Sequence, residues 1–331
     1  MYIIAEIAQA HDGSLGIAHS YIDALAETGV DAVKFQTHIA EAESSPFEPF
    51  RINFSFEDPT RFDYWKRMEF TPGQWAGLKR HAEEKGLEFI STPFSNAAVD
   101  LLERLGVKRY KVGSGDTSNF LLLEKIARTG KPMIISSGMS TWDELDRTVD
   151  FLRRRNTDFS ILQTTTAYPT QPENYGLNVI PELKARYGVP VGYSDHSARM
   201  ETGIAAVTLG AEILEFHVVF DRRMFGPDSK ASLTIDETKQ LVEAVRNLEK
   251  TFTHPVDKSR LMVPEEVKRM FEKSLAVNKN LPAGHILQFK DLEAKKPSGY
   301  GIPANRFTDV VGKKLKTSKQ KWDFLREEDL E

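Results

Sequence analysis

Cysteine is absent from all 331 residues. That excludes a disulfide framework, a zinc–thiolate centre and a thiol nucleophile, and leaves any metal to histidine, carboxylates, substrate and water. No run approaches the roughly 18 apolar residues of a membrane-spanning helix. The opening MYIIAEIAQAHDG has no basic leader and carries Glu6 inside its apolar stretch, so it reads as a strand and not as a signal peptide, and a cytoplasmic protein is expected. Long like-charge blocks are missing too. The 44 Lys and Arg against 48 Asp and Glu give a formal net charge of -4 with both signs interspersed, which argues against nucleic acid or a membrane surface and for small-molecule partners. No G-x-G-x-x-G follows the first strand candidate, so the phosphate loop of a dinucleotide-binding open sheet is lacking.

What is present is enough apolar residue, 40%, for a large domain plus a small one. Short β-branched runs alternate with helical segments, the pattern of βα units on a parallel sheet. The strand candidates are Tyr2–Ala8, Ala32–Thr37, Glu88–Pro93, Arg109–Gly113, Met133–Ser137, Phe159–Thr164, Val189–Ser194 and Ile213–Val219. Eight such units favour a closed (β/α)8 TIM barrel over a doubly wound open sheet, which normally has fewer strands. Thr71-Pro72-Gly73-Gln74 and Thr141-Trp142-Asp143-Glu144 read as capping boxes at helix starts. The connection from Ile39 to Phe70 is too long for an idle loop and is expected to form a flap over the barrel mouth. The barrel is assigned to residues 1–250, its last helix to Ile235–Glu249, and 251–272 to a linker with one charged helix. Residues 273–331 then form a small β-rich module, with short apolar pairs between Gly, Pro and Asn turns, that needs another surface to pack on.

In a parallel barrel the C-terminal strand ends converge on one mouth. Polar residues there are Glu6, Lys34, Gln36, Ser91, Thr92, Lys111, Ser114, Asp116, Ser136, Ser137, Gln163, Thr166, Tyr168, Ser194, Asp195, His196, Glu215 and His217. The plain alternative for any one Ser or Thr is that strands simply end where polar residues begin. Lys34 and Lys111 are harder to dismiss, because each lies in an apolar run where an unpaired ammonium costs several kcal/mol. Something anionic is expected to meet them. With the hydroxyls of Ser114, Ser136 and Ser194 they suggest a cradle for a small phosphorylated carboxylate; a Schiff-base lysine is the competing use. His196 and His217 end the last two strand candidates and suggest a catalytic divalent-metal site with positions open to water and substrate, against two imidazoles merely hydrogen-bonded at the rim. His11 either orients a substrate or caps the first loop; His19, His38, His81, His254 and His285 carry no comparable context, and most of them read as solvated.

Taken in order, AEIAQAHDG, VKFQTH, STPFS, YKVGSGD, SSGMS, AYPT, GYSDHS, ILEFHVV and GPD resemble the barrel of the sialic acid synthases, and Ser274–Lys316 resembles that family's C-terminal antifreeze-like (SAF) domain. The resemblance implies condensation of phosphoenolpyruvate with an N-acetylated hexosamine to a nine-carbon 2-keto acid sugar, with loss of phosphate by C–O cleavage. It implies Mn²⁺, with Mg²⁺ or Co²⁺ as alternatives, on His196 and His217, and a homodimer whose C-terminal modules cover each other's barrel mouths. By position Lys34, Thr92, Lys111, Ser114, Ser136 and Ser194 match phosphoenolpyruvate contacts. Glu6, Gln36, Tyr168 and Asp228 match residues facing the sugar or the reacting centre; Asp116, Thr166 and Lys296 are added to the sugar side. Glu6, His196 and His217 are the catalytic set, with Glu6 handling a proton or holding a sugar hydroxyl.

Three positions depart from the family pattern. Thr166 stands where asparagine is common before the Tyr-Pro turn, and Ala10 where asparagine is usual in the first loop. Lys295-Lys296-Pro297-Ser298 replaces an arginine before Pro-Gly, and lysine cannot reproduce a planar guanidinium contact. The expected sugar is N-acetylmannosamine, with a 2,4-diacetamido-6-deoxy sugar and a legionaminic-type product as the alternative. A non-catalytic glycan- or ice-binding role is disfavoured, because an ice-binding face is flat, apolar and hydroxyl-bearing, whereas this module is studded with Lys and Asp.

Overall fold

The βα alternation folds as read. The first half of the chain runs β1 (Tyr2–Glu6), α1 (Leu15–Ala26), β2 (Ala32–Thr37), α2 (Ala40–Glu43), α3 (Arg61–Met68), α4 (Pro72–Glu84), β3 (Glu88–Pro93), α5 (Asn96–Leu105) and β4 (Tyr110–Val112). It continues through α6 (Phe120–Ala127), β5 (Met133–Ser136), α7 (Trp142–Arg153), β6 (Phe159–Thr164), α8 (Val179–Tyr187), β7 (Val191–Asp195), α9 (Met200–Thr208) and β8 (Ile213–Val219). A short β9 (Leu233–Thr234), parallel to β8, leads into α10 (Ile235–Thr253). The computed structural model describes every residue except Asn53 and Ser55.

Parallel ladders link the strands in the order β3-β2-β1-β8-β7-β6-β5-β4. β3 and β4, at the two ends of that order, lie side by side, so the sheet curls into a nearly closed eight-stranded barrel. Both faces of the strands are buried, as expected when helices cover the outside. Because side chains alternate along a strand, one inward position per strand builds an apolar layer of Ile4, Ala32, Ile90, Ile134, Leu162 and Ile213. The next inward position, two residues on, carries Glu6, Lys34, Thr92, Ser136, Thr164 and Glu215. The strand period thus stacks a polar layer directly above an apolar floor. Gly192 belongs to the floor, where a Cβ would come within 2.5 Å of Leu162 Cδ2.

Helix starts obey their caps: Thr71 and Gln74, Thr141 and Glu144, and Thr60 and Asp63 all form reciprocal capping boxes. Boundaries move by a residue or two. β1 stops at Glu6 instead of Ala8, since Ala8 takes a left-handed φ of 46°. β4 is trimmed at both ends and β5 at Ser137, β7 starts after Pro190, which has no N–H to give a ladder, and α10 runs on to Thr253 instead of ending at Glu249. The 39–70 connection holds α2 and α3 and buries Ala40, Tyr64, Trp65 and Met68, with Phe50, Phe54 and Phe62 packed on them.

By its internal contacts the chain divides at Thr253, giving a second unit of residues 254–331. This unit holds α11 (Glu265–Phe271) and an antiparallel pair of β10 (Ser274–Val277) and β11 (Leu292–Lys295). It has a core of its own, including Leu275, Val277, Leu281, Leu287, Ile302, Val310, Leu315, Leu325 and Leu330. His285, read from the sequence as solvated, is half-buried and sits 2.7 Å from the fully buried carboxylate of Asp291. Among the described residues no helix is long and apolar enough to cross a membrane.

Candidate active site

The polar layer forms the base of a cavity of about 440 Å³ at the C-terminal ends of the strands. Of the residues singled out from the sequence, Glu6, Lys34, Gln36, Thr92, Lys111, Ser114, Asp116, Ser136, Thr166, Tyr168, Ser194, His196, His217 and Asp228 all line it. Ser91, Ser137, Gln163 and Asp195, also placed at the mouth from the sequence, do not line it: the first three donate to the carbonyls of Phe35, Leu162 and Thr164, and Asp195 accepts from the Ser197 and Thr202 hydroxyls. Nor does Lys296, which belongs to the C-terminal unit, where its Nζ lies 4.7 Å from the Phe271 ring centroid.

Two carboxylates meet the buried lysines, so the anions expected there are supplied by the protein itself. Lys34 Nζ lies 2.6 Å from Glu6 Oε1 and 3.5 Å from Glu215 Oε1. Lys111 Nζ lies 3.5 Å from the same Glu215 oxygen and donates to Ser136 Oγ at 2.6 Å. The two lysines reach Glu215 from β2 and β4 across the barrel interior, and register sets Glu215 opposite Ser194 of β7, whose hydroxyl donates to it at 3.0 Å. Burial opposes charge on both ammonium groups. For Lys34, Glu215 and Glu6 more than offset it and raise the pKa; for Lys111, burial prevails over Glu215, the charge of Lys34 adds to it, and the pKa falls. Burial likewise works to raise the Glu6 pKa, but Lys34, His217 and Lys111 override it and hold that carboxyl well below the usual range. Glu6 is therefore an ionised acceptor that also receives the Gln36 amide at 2.8 Å. Ser136, Glu215 and Lys34 lie around Lys111, polar neighbours of the kind an anion cradle uses; its lowered pKa is the one feature it shares with a Schiff-base lysine.

Three buried polar atoms of this layer, Thr164 Oγ1, Thr166 Oγ1 and Glu215 Oε2, have no partner, which is the signature of groups awaiting a ligand. Gly138, in the loop after β5, packs closely against this group: a Cβ there would come within 2.7 Å of Thr166 Oγ1 and 2.8 Å of Ser114 Oγ.

Opposite the lysines, His196 stacks on Tyr168 with ring centroids 4.1 Å apart and lies 5.3 Å from the His217 ring. Its Nδ1 is 2.8 Å from the Thr165 carbonyl, to which it donates, leaving the Nε2 lone pair available. Burial, reinforced by His217, pushes its pKa down to about 3, so the ring is a neutral donor of the kind a divalent ion takes. His217 Nε2 lies 3.3 Å from Glu6 Oε2 and its Nδ1 3.9 Å from Asp228 Oδ2. The donor set fits an ion with two imidazole ligands. Among the described residues no group of three or more His, Asp or Glu side chains is placed to complete a protein-only shell, so the further positions of such an ion would fall to substrate oxygens and water.

The flap closes one side of the cavity with Glu43, Glu48, Phe50, Arg51, Arg61 and Trp65. Arg51 pairs with Asp228 at 2.6 Å and lies 4.0 Å above the Tyr168 ring, joining flap to barrel. Its role was not legible in sequence, and neither was that of Glu215, whose position in β8 was visible but whose partners were not. His38 is not solvated: it is 3% exposed, stacked on Trp65 and Phe94, and bonded to Glu43. His19 and His81 face each other at 2.8 Å instead of facing solvent alone. His11 caps the first loop, accepting from the Gly13 N–H at 3.1 Å, and packs on Phe70.

Residues 21–257 match the model of the NeuB family and residues 272–331 that of the SAF domain. The chain is 36% identical to the N-acetylneuraminate-9-phosphate synthase of Homo sapiens over 99% of its own length and 92% of that protein's. It is 31% identical to the N,N'-diacetyllegionaminic acid synthase of Campylobacter jejuni, covering 98% of each. Among solved structures, an N-acetylneuraminic acid (sialic acid) synthetase from Leptospira borgpetersenii, in complex with citrate, superposes with a TM-score of 0.71 at 30% identity, over 81% of this chain and 90% of that one. With the family model matched over most of the barrel and relatives matched over nearly the whole length, the chain belongs to the NeuB family of sialic acid synthases, its barrel followed by an SAF domain.

Proposed function

We propose that the protein condenses phosphoenolpyruvate with the open-chain aldehyde of an N-acetylated hexosamine, N-acetylmannosamine first, to give N-acetylneuraminate and phosphate. The observation that carries this is the pair of buried lysines, Lys34 and Lys111, set among Thr92, Ser114, Ser136 and Ser194 on one side of a cavity whose other side holds His196, His217 and Glu6. The name of the structural relative from Leptospira borgpetersenii, a sialic acid synthetase, supports N-acetylneuraminate as product, while that of the human relative is of a synthase for its 9-phosphate.

Phosphoenolpyruvate brings a carboxylate and a phosphate, the two anions that can exchange with Glu6 and Glu215 as partners of the lysines. The serine and threonine hydroxyls supply neutral donors to the same oxygens. C3 of phosphoenolpyruvate then forms a bond to the aldehyde carbon, whose oxygen takes up a proton. The cationic C2 is captured by water, which loses a proton, and the tetrahedral adduct expels phosphate by breaking its C–O bond. Once Lys34 turns to the incoming anion, the main influence holding Glu6 ionised is weakened, and its carboxylate, near His217, becomes a stronger proton acceptor at the reacting centre. A divalent ion held by His196 and His217, Mn²⁺ first with Mg²⁺ or Co²⁺ as alternatives, would polarise the aldehyde oxygen as a Lewis acid.

For the sugar, Gln36, Tyr168, Asp228, Thr166 and Asp116 are the lining groups nearest in kind to hydroxyl and amide recognition. The two guanidinium groups on the flap side are already ion-paired, Arg51 with Asp228 at 2.6 Å and Arg61 with Glu48 at 3.1 Å. That favours a neutral sugar over a phosphorylated one. A second reading, a 2,4-diacetamido-6-deoxy sugar, is favoured by Lys296 where the family carries arginine, and by the legionaminic relative. Phosphoenolpyruvate is a cytoplasmic metabolite, so the same proposal places the enzyme in the cytoplasm; the SAF domain of each chain covering the mouth of its partner in a homodimer completes it. Phosphate release from phosphoenolpyruvate, compared between N-acetylmannosamine, its 6-phosphate and a 2,4-diacetamido-6-deoxyhexose, tests the sugar assignment. A preference of at least about tenfold in kcat/KM, roughly 1.4 kcal/mol, for the 6-phosphate would overturn the neutral-sugar choice.

A further inference from the structure

One guanidinium on the flap touches two groups of the sugar side, and the reaction steps above give it no part. Arg51 Cζ lies 4.0 Å from the centre of the Tyr168 ring, and the His196 ring lies 4.1 Å from the same centre at an interplanar angle of 25°. Two groups so close to one centroid cannot share a face, so Tyr168 is sandwiched between them. The far end of this column is fixed, because His196 Nδ1 donates to the Thr165 carbonyl at 2.8 Å. A cation over a phenol face is held by the ring quadrupole, and the column therefore sets where the guanidinium sits.

From there Arg51 Nη2 donates to Asp228 Oδ1 at 2.6 Å and reaches the Pro227 carbonyl at 3.4 Å. The flap meets the same loop after β8 a second time, where the Phe54 and Phe225 rings lie 5.6 Å apart. Among the described residues, Arg51 is the one side chain within hydrogen-bond distance of the Asp228 carboxylate; His217 Nδ1 is farther, 3.9 Å from Oδ2. A carboxylate accepts at both oxygens. With Oδ1 taken, Oδ2 is left toward His217 as an acceptor for a hydroxyl or amide N–H of a bound substrate. A partly exposed ion pair adds little stability by itself; what this one supplies is direction.

We propose that Arg51 is a positioning residue of the sugar site: seated on Tyr168, it holds one oxygen of Asp228 and so presents the other, beside His217, to a hydroxyl of the N-acetylhexosamine. The kinetic half of this inference rests on the proposed function; the structural half does not.

The test sets Arg51→Ala and Arg51→Lys beside the wild type, with Asp228→Ala and the double variant Arg51→Ala/Asp228→Ala, in initial rates against each substrate. Arg51→Ala lowers kcat/KM for the N-acetylhexosamine by about tenfold or more, as misplacement of a substrate-orienting group does. The KM for phosphoenolpyruvate stays within about twofold, since the lysine side of the cavity keeps its contacts. Arg51→Lys recovers part of the loss, because an ammonium still pairs with Asp228 though without the planar fork. In the Asp228→Ala background there is no carboxylate to orient, and Arg51→Ala costs less than about twofold further. An Arg51→Ala effect of the same size with and without Asp228 would mean that the guanidinium acts on substrate directly, and overturns the proposal. Unaltered sugar kinetics in Arg51→Ala overturn it too, as do equal losses for both substrates, the mark of a flap that has merely come loose. Crystal structures of the wild type and Arg51→Ala read the structural half without turnover: the Asp228 carboxylate keeps one orientation in the first and turns or spreads over several in the second. A carboxylate unmoved in Arg51→Ala overturns that half. Should the wild type make no product from phosphoenolpyruvate and any N-acetylhexosamine, the proposed function fails, while the two structures still decide whether Arg51 positions Asp228.

Discussion

Replacing Lys34 with methionine keeps most of its alkyl stem and removes one charge from the buried layer. Lys34 and both of its carboxylate partners are each no more than 4% exposed at the side chain. Removing one member of a buried ion pair typically costs about 3–5 kcal/mol, because the other is left uncompensated. Here Glu215 keeps Lys111 at 3.5 Å and Ser194 at 3.0 Å, so the loss falls mainly on Glu6, which retains Gln36, His217 and the more distant charge of Lys111. The lower end, about 3 kcal/mol at pH 7, is expected. The pH dependence has a definite sign. In the wild type the Glu6 pKa is held below its ordinary 4.5, so its contribution to stability is full above that value and fades only as the pH falls through the depressed pKa. In the variant only His217 and Lys111 still oppose burial, so the Glu6 pKa rises from its wild-type position, and the penalty is greatest while the carboxyl is ionised and shrinks as it protonates. The gap between the two proteins therefore narrows from pH 7 toward about pH 4.5, and Lys34→Met/Glu6→Gln recovers most of it. Urea unfolding followed by tryptophan fluorescence reports on the barrel, which holds Trp65, Trp75 and Trp142 of the four tryptophans. A gap below about 1 kcal/mol at pH 7, the size of a surface pair, or one that stays constant with pH, refutes the reasoning.

Lys111→Ala is expected to raise the phosphoenolpyruvate KM far more than the sugar KM, measured by initial rates with each substrate varied in turn; equal effects on both would place Lys111 outside the anion cradle. His196→Ala and His217→Ala are expected to abolish chelator-sensitive turnover while leaving far-UV circular dichroism unchanged, and full activity in either variant would remove both residues from the metal site. Gly138→Ala is expected to weaken phosphoenolpyruvate binding by roughly tenfold or more, since the added methyl must push aside Thr166 and Ser114; isothermal titration with phosphoenolpyruvate alone reads this directly. A chain truncated after Phe271, mixed with full-length His217→Ala chains, is expected to regain partial activity, because the inactive barrel lends its SAF domain; confirmed subunit exchange without activity would show that the domain does not act on its partner.

Most of the barrel was legible because a parallel strand buried on both faces writes itself as a short β-branched run: seven of the eight candidates contain a strand of the structure, and the other, Val189–Ser194, overlaps β7, which runs one residue further to Asp195. Site residues at strand ends were legible for the same reason, since the fold sends every such end to one mouth. What the sequence does not contain is register. Glu215 is visible as a charge within β8, yet that it serves Lys34, Lys111 and Ser194 together follows only once β7 is aligned with β8 and the closed barrel brings β2 and β4 to face it. Lys34 and Lys111 were correctly suspected of needing an anion, but the carboxylates that meet them come from other strands, so the need looked like a ligand's alone. His38 was misread because its clamp is assembled from α3 and the end of β3, and a histidine following a strand carries no local mark of burial. Arg51 lies in irregular chain, where neither periodicity nor capping gives a position.

The most direct test of the proposed chemistry is to follow phosphoenolpyruvate labelled with ¹⁸O at its bridging oxygen during turnover with N-acetylmannosamine and Mn²⁺, by ³¹P NMR and mass spectrometry. C–O cleavage predicts phosphate released in step with a nine-carbon 2-keto acid, all of the label in the phosphate and none at the new carbonyl. Label retained in the organic product, or phosphate released without formation of the keto acid, would contradict it.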